Sequence, residues 1–93
     1  MSASKRADEG LWNLPLEPQY QDMIKSSLAD IKNIGGKGAG SITAALFLKE
    51  FVEKGTQWAH IDMAGPVWDN GGGGRPTGYG VKLLVEYLLN VKK

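Results

Sequence analysis

The chain has no cysteine and a single histidine in 93 residues. No disulfide can brace it, and cysteine-ligated zinc sites are excluded. Such a chain relies on its core or on a partner for stability, and a reducing compartment is compatible with it. An excess of either charge is also missing: 11 Lys and Arg stand against 10 Asp and Glu, a formal net charge of +1. That balance gives no electrostatic case for nucleic acid or for an anionic membrane. Long apolar runs are absent too. The longest, residues 44–48, is far too short to span a bilayer. The opening MSASKRADEG is polar and has no apolar stretch of the secretory type. The expectation is a soluble, cytoplasmic chain without a nucleic-acid or membrane partner.

What is present is 42% hydrophobic residues, a globular rather than a disordered composition. The length suits one small domain that buries about 60–65% of its unfolded surface. Residues 1–10 read as a polar, solvated lead-in, and residues 11–93 as the folded part. Residues 11–14 alternate and stop at Pro15, a short strand of edge type. Residues 17–26 predict a helix, with Pro18 in its first turn and Tyr20, Met23 and Ile24 on one face. Residues 28–34 alternate imperfectly and predict a strand ending at Gly35. Residues 41–53 give the strongest helix signal, apolar nearly all round and hence buried, with Gly55 as a stop. Residues 58–63 predict a strand that closes at Gly65 and Pro66. A Gly-rich loop occupies 69–78. The last helix, 79–90, carries Val81, Leu84, Val85 and Leu88 as a stripe, with Lys82 and Glu86 paired opposite. Strands alternating with helices predict a small three-layer α/β unit of about three strands, mostly parallel, and three helices. So thin a sheet leaves a buried central helix short of apolar neighbours.

No complete active site is legible in these residues. The glycines at 35, 36, 38 and 40 precede a helix, where backbone N–H groups and Lys37 could meet an anion. Both phosphate motifs fail, however. The dinucleotide pattern needs glycine where Ser41 stands, and no lysine follows Gly40 as in a P-loop. A tight turn with close helix packing is the favoured reading. His60, with Asp62 on the same strand face, reads as a hydrogen-bonded core residue, for it has no further ligand nearby. Ser41 and Thr43 lack a nucleophile-elbow setting and suit helix capping or lining. The carboxylates are scattered, and the three tryptophans lie beside strands rather than within a basic stripe.

The order of segments carries more. Trp12-Asn13-Leu14-Pro15-Leu16, then Ala29-Asp30-Ile31-Lys32-Asn33-Ile34-Gly35-Gly36, then the run from Ala39 to Val52 resemble the end of the leucyl aminopeptidase (cytosol aminopeptidase) family. Trp58-Ala59-His60-Ile61-Asp62-Met63-Ala64-Gly65-Pro66 and Thr77-Gly78-Tyr79-Gly80-Val81 continue the likeness in order. It extends over nearly everything from Ala3 onward.

The resemblance implies the C-terminal part of a zinc-exopeptidase-like catalytic domain. Such enzymes are two-domain, homohexameric, cytosolic metalloexopeptidases. They remove N-terminal residues, often leucine, from peptide substrates by means of two divalent ions, zinc or manganese. The family's metal ligands and catalytic arginine lie on segments, including Asn-Thr-Asp-Ala-Glu-Gly-Arg, that have no counterpart here. No catalytic residue and no metal ligand is therefore carried over, and no cofactor is expected in this chain alone. One feature does transfer: the family's Ala-Gly segment, which lines the pocket for the substrate's N-terminal side chain, matches Ala64-Gly65-Pro66-Val67. Ala64 and Val67 are thus the candidate pocket walls, against the simpler reading that Ala64 is small for packing. The expected partners are peptide substrate, the rest of the catalytic domain and further copies of the enzyme. An inactive portion of the enzyme is the first reading; a stand-alone interaction or oligomerisation module derived from the family is the alternative.

Overall fold

Helices close their hydrogen bonds within a few residues, and the two predicted over 41–53 and 79–90 form close to where patterning puts them. The computed structural model describes residues 1–92. It divides into two units, one of Met1–Asn13 with the stretch from Met63 onward, the other Leu14–Asp62.

In the first unit, α1 (Ser2–Ala7) packs against α3 (Val81–Asn90). Ala3 and Ala7, spaced i, i+4 on one face, are buried with Ser4 between them. The solvated lead-in expected over 1–10 is corrected here: the segment is helical and holds four buried residues, Ala3, Ser4, Ala7 and Glu9. Its polar composition hid this, since alanine covers little surface but allows close approach. Asp8 ends α1 in the left-handed region, with its N–H on the Ser4 carbonyl. In the same last turn Arg6 pairs with Glu86 at 3.2 Å. That contact replaces the predicted Lys82–Glu86 pair, and Glu86 also takes the Asn90 amide at 3.4 Å. Leu83 is the buried residue of α3, whereas Val81, Leu84, Val85 and Leu88 stay exposed. The expected stripe is therefore not the face that α1 covers. Between the helices, β1 (Trp68–Asp69) and β2 (Arg75–Pro76) make a small antiparallel hairpin, Trp68 opposite Pro76 and Asp69 opposite Arg75. Asp69 closes the glycine loop by accepting the Gly71 N–H at 2.9 Å and pairing with Arg75 at 3.4 Å.

In the second unit, α2 (Gly40–Lys49) packs against a 3-10 helix over Pro18–Ile24. Ile24, 1% exposed, is its most deeply buried large side chain. Thr43, Ala45 and Leu46 of α2 are buried with it. The predicted helix over 17–26 is thus 3-10 and shorter. It leaves through Lys25, which is extended and bridges Ile31, while Lys32 donates to the Ile24 carbonyl at 2.8 Å. Ser26 Oγ holds the intervening bend by accepting the N–H groups of Leu28 and Ala29 at 3.1 and 3.0 Å. The predicted helix over 41–53 runs over Gly40–Lys49 and continues to Val52 in single turns.

The expected set of three mostly parallel strands is corrected. Among the described residues the only ladder is the antiparallel hairpin of β1 and β2. Among the described residues, 11–14 and 58–63 join no ladder or bridge, and 28–34 contributes one bridge. A strand exists only by pairing with a neighbour, and these segments have the composition without the neighbour. The apolar residues tell the same story. Trp12 is 89% exposed, Leu28 98% and Leu89 75%. The chain exposes 7678 Å², against about 5,200 Å² for a folded monomer of this mass and about 6,300 Å² for two independent units of half of it.

Candidate functional site

The two candidate pocket residues stand at opposite ends of a single turn. Ala64 leads into a 3-10 turn, Gly65–Val67, and the Val67 N–H closes it on the Ala64 carbonyl at 3.2 Å. Ala64 is exposed and Val67 half-buried. Proline at the start of the turn presets φ and needs no hydrogen bond there. Thr77 fastens the turn from the other side. Its N–H donates to the Val67 carbonyl at 3.0 Å, and its hydroxyl donates to the Pro66 carbonyl. The same hydroxyl oxygen accepts the Tyr79 N–H at 3.2 Å.

Behind Tyr79 lies the start of α3, and its cap comes from far along the chain. Glu9 Oε2 accepts the N–H groups of Gly80 and Leu83, each at 3.0 Å. Gly80 has no side chain with which to cap the helix itself. A buried carboxylate at this position satisfies two otherwise unpaired donors and meets the positive end of the helix. Tyr79 donates its hydroxyl to the Gly10 carbonyl beside it. Sequence reasoning missed Glu9 because its partners lie 71 and 74 residues away. Thr77 was legible only as part of an ordered motif.

The other candidates separate in space and role. His60 stacks on Trp58, with ring centroids 6.4 Å apart and planes 17° from parallel. It is this ring, rather than the expected Asp62, that His60 meets. Thr43 donates to the Gly40 carbonyl at 3.1 Å, so its hydroxyl lines the helix as the pattern predicts. Gly35 lies so close to α2 that a Cβ there would stand 2.9 Å from the Thr43 side chain, which supports the close-packing reading of that glycine. A groove of ≈ 650 Å³ runs between the bend at Ser26–Asn33 and the end of α2, where Phe47 and Phe51 meet edge to face at 5.2 Å. Glu50 on its rim accepts the Gln21 amide at 2.6 Å. Among the described residues no group of three or more His, Asp or Glu side chains converges to hold a metal ion.

Comparison with known proteins places this geometry. Residues 1–85 match the family model described as the catalytic domain of the cytosol aminopeptidase family. A probable cytosol aminopeptidase of Synechococcus sp. (strain CC9605) is 59% identical over 92 residues, which are 95% of this chain and 19% of that protein. The chloroplastic leucine aminopeptidase 2 of Arabidopsis thaliana is 53% identical over 90 residues, 97% of this chain and 15% of that protein. Among solved structures, a lysine-to-glutamate mutant of tomato leucine aminopeptidase superposes with a TM-score of 0.90 at 46% identity, over 97% of this chain and 18% of that one. The chain therefore spans under a fifth of the relatives it matches.

Proposed function

The chain belongs to the cytosol aminopeptidase family, and from that membership we propose that it is the C-terminal portion of a leucyl aminopeptidase catalytic domain, inactive alone. In this reading the chain contributes core, including the buried residues of α1, and one wall of the substrate pocket. The reaction is removal of N-terminal amino acids from peptides in the cytoplasm by a homohexamer. Two divalent ions, zinc or manganese, belong to the complete enzyme, and their ligands come from polypeptide outside this chain.

The observation that carries the proposal is a match over nearly the whole chain to less than a fifth of each relative. The excess surface agrees with it. Among the described residues, the strand-like segments 11–14 and 58–63 have no ladder partner, and the α3 stripe of Val81, Leu84, Val85 and Leu88 lies bare. Both are what a piece of a larger sheet and core displays. In the complete domain, Ala64 and Val67 face the side chain of the residue to be released.

The direct test is to incubate the isolated chain with manganese or zinc and leucine p-nitroanilide. No turnover is expected; robust hydrolysis would refute the reading. The same bare apolar surface favours a second reading, a module that associates with itself or with a full-length aminopeptidase. Sedimentation separates the two, since a stable, well-folded monomer argues against the module.

A further inference from the structure

Among the described residues no hydrogen bond joins Glu9 directly to the Ala64–Val67 turn, yet two sets of hydrogen bonds, linked by the short backbone stretch 77–80, connect them. Glu9, 8% exposed, holds the N–H groups of Gly80 and Leu83. Tyr79 reaches back to the Gly10 carbonyl, the residue next to Glu9. Thr77, two positions earlier, holds the carbonyls of Pro66 and Val67 and is itself held to the Tyr79 N–H. Gly80 also backs onto Met63, whose sulfur lies 3.3 Å from where a Cβ would stand. Residues 77–80 are thus tied at one side to residues 9 and 10 and at the other to residues 66 and 67. All of them lie in one unit.

We propose that Glu9 is a positioning residue for substrate selectivity. Its carboxylate locks the start of α3, and through Thr77 it sets the position of the turn that walls the pocket. This rests on the pocket reading of Ala64 and Val67. An anionic acceptor suits the role because it takes two donors at once at the positive end of a helix, in a buried setting. Loss of that acceptor frees the segment locally and lets the turn drift.

The test uses a complete enzyme, the tomato leucine aminopeptidase with this chain replacing its matching stretch. Residue-level amide exchange is measured in the parent chimera and in Glu9→Ala, Glu9→Gln and Arg6→Gln. In Glu9→Ala the Val67 and Thr77 amides should exchange about tenfold faster, together with those of Gly80 and Leu83. Glu9→Gln, which keeps an acceptor oxygen, should restore most of the protection. Arg6→Gln, which breaks the pair to Glu86 midway along α3 and leaves the cap in place, should leave Val67 and Thr77 unchanged. In parallel, the ratio of kcat/KM for leucyl over alanyl p-nitroanilide should shift by at least about threefold in Glu9→Ala and recover in Glu9→Gln. Thr77→Val, which removes only the hydroxyl link, should move the ratio the same way and keeps the idea testable where Glu9→Ala does not fold. Acceleration confined to Gly80 and Leu83, or equal acceleration in Arg6→Gln, overturns the proposal. Ala64→Val and Val67→Ala separate the two layers. If they leave the ratio unmoved, the pocket reading falls and this proposal with it. If they move it while Glu9→Ala and Thr77→Val do not, the positioning role alone is wrong.

Discussion

Replacing Gly35 by alanine adds one methyl group where this glycine packs directly against α2. Gly35 has no left-handed backbone, so the substitution sets packing against only the stabilisation of about 0.4–1 kcal/mol that alanine gives by restricting the unfolded chain. The new Cβ would lie 2.9 Å from both Cβ and Cγ2 of Thr43 and 3.1 Å from its Oγ1. Carbon atoms in contact prefer about 3.5–4.0 Å, so the overlap is more than half an ångström. Thr43 has little room to yield. It is 3% exposed, and its hydroxyl is bound to the Gly40 carbonyl. Its branched Cβ also restricts χ1 within the helix. Overpacking of this kind costs about 1–3 kcal/mol. Domains of this length are stable by only roughly 5–14 kcal/mol, which makes such a loss readily measurable. Urea unfolding followed by far-UV circular dichroism should show a lower midpoint with an unchanged slope. Thr43→Ser removes Cγ2 at a cost of about 1 kcal/mol by itself. Combined with Gly35→Ala it should recover part of the loss, giving a coupling of at least about 0.5 kcal/mol. Strict additivity, or a Gly35→Ala chain at least as stable as the parent, would show that the glycine is not there for close approach to α2.

Three further outcomes follow from burial and backbone geometry. Ile24→Ala should cost about 2–5 kcal/mol, because the side chain is 1% exposed between the 3-10 helix and α2; thermal unfolding of the chain checks it. Gly74→Ala should cost about 1–3 kcal/mol and perturb tryptophan emission, since Gly74 has φ of 80° and a Cβ there would stand 2.9 Å from the Trp68 indole nitrogen. An unchanged spectrum and midpoint would contradict that contact. Arg6→Gln should cost under about 1 kcal/mol, and the difference should vanish in high salt, because the Arg6 and Glu86 side chains are 42% and 34% exposed.

The sequence by itself determined the parts whose causes are local or ordered along the chain. The apolar run at 42–48 and the periodicity at 81–88 predicted α2 and α3 within about two residues at the start and a few at the end. The ordered motifs from Trp12 to Val81 carried the family. Tertiary structure alone decided which helix face is covered and which extended segments become strands. Leu83 rather than the Leu84 stripe is buried in α3, and nothing in periodicity distinguishes two apolar faces of one helix. Residues 11–14 and 58–63 have strand composition, but a ladder is a property of two segments, and no partner lies among the described residues. Glu9 is the sharpest case. Beside Asp8 in a polar stretch it reads as solvated, yet it caps a helix that begins more than seventy residues later. Helix bonds span four residues and so are written in the local pattern, whereas capping and pairing at a distance depend on where the folded chain brings its segments.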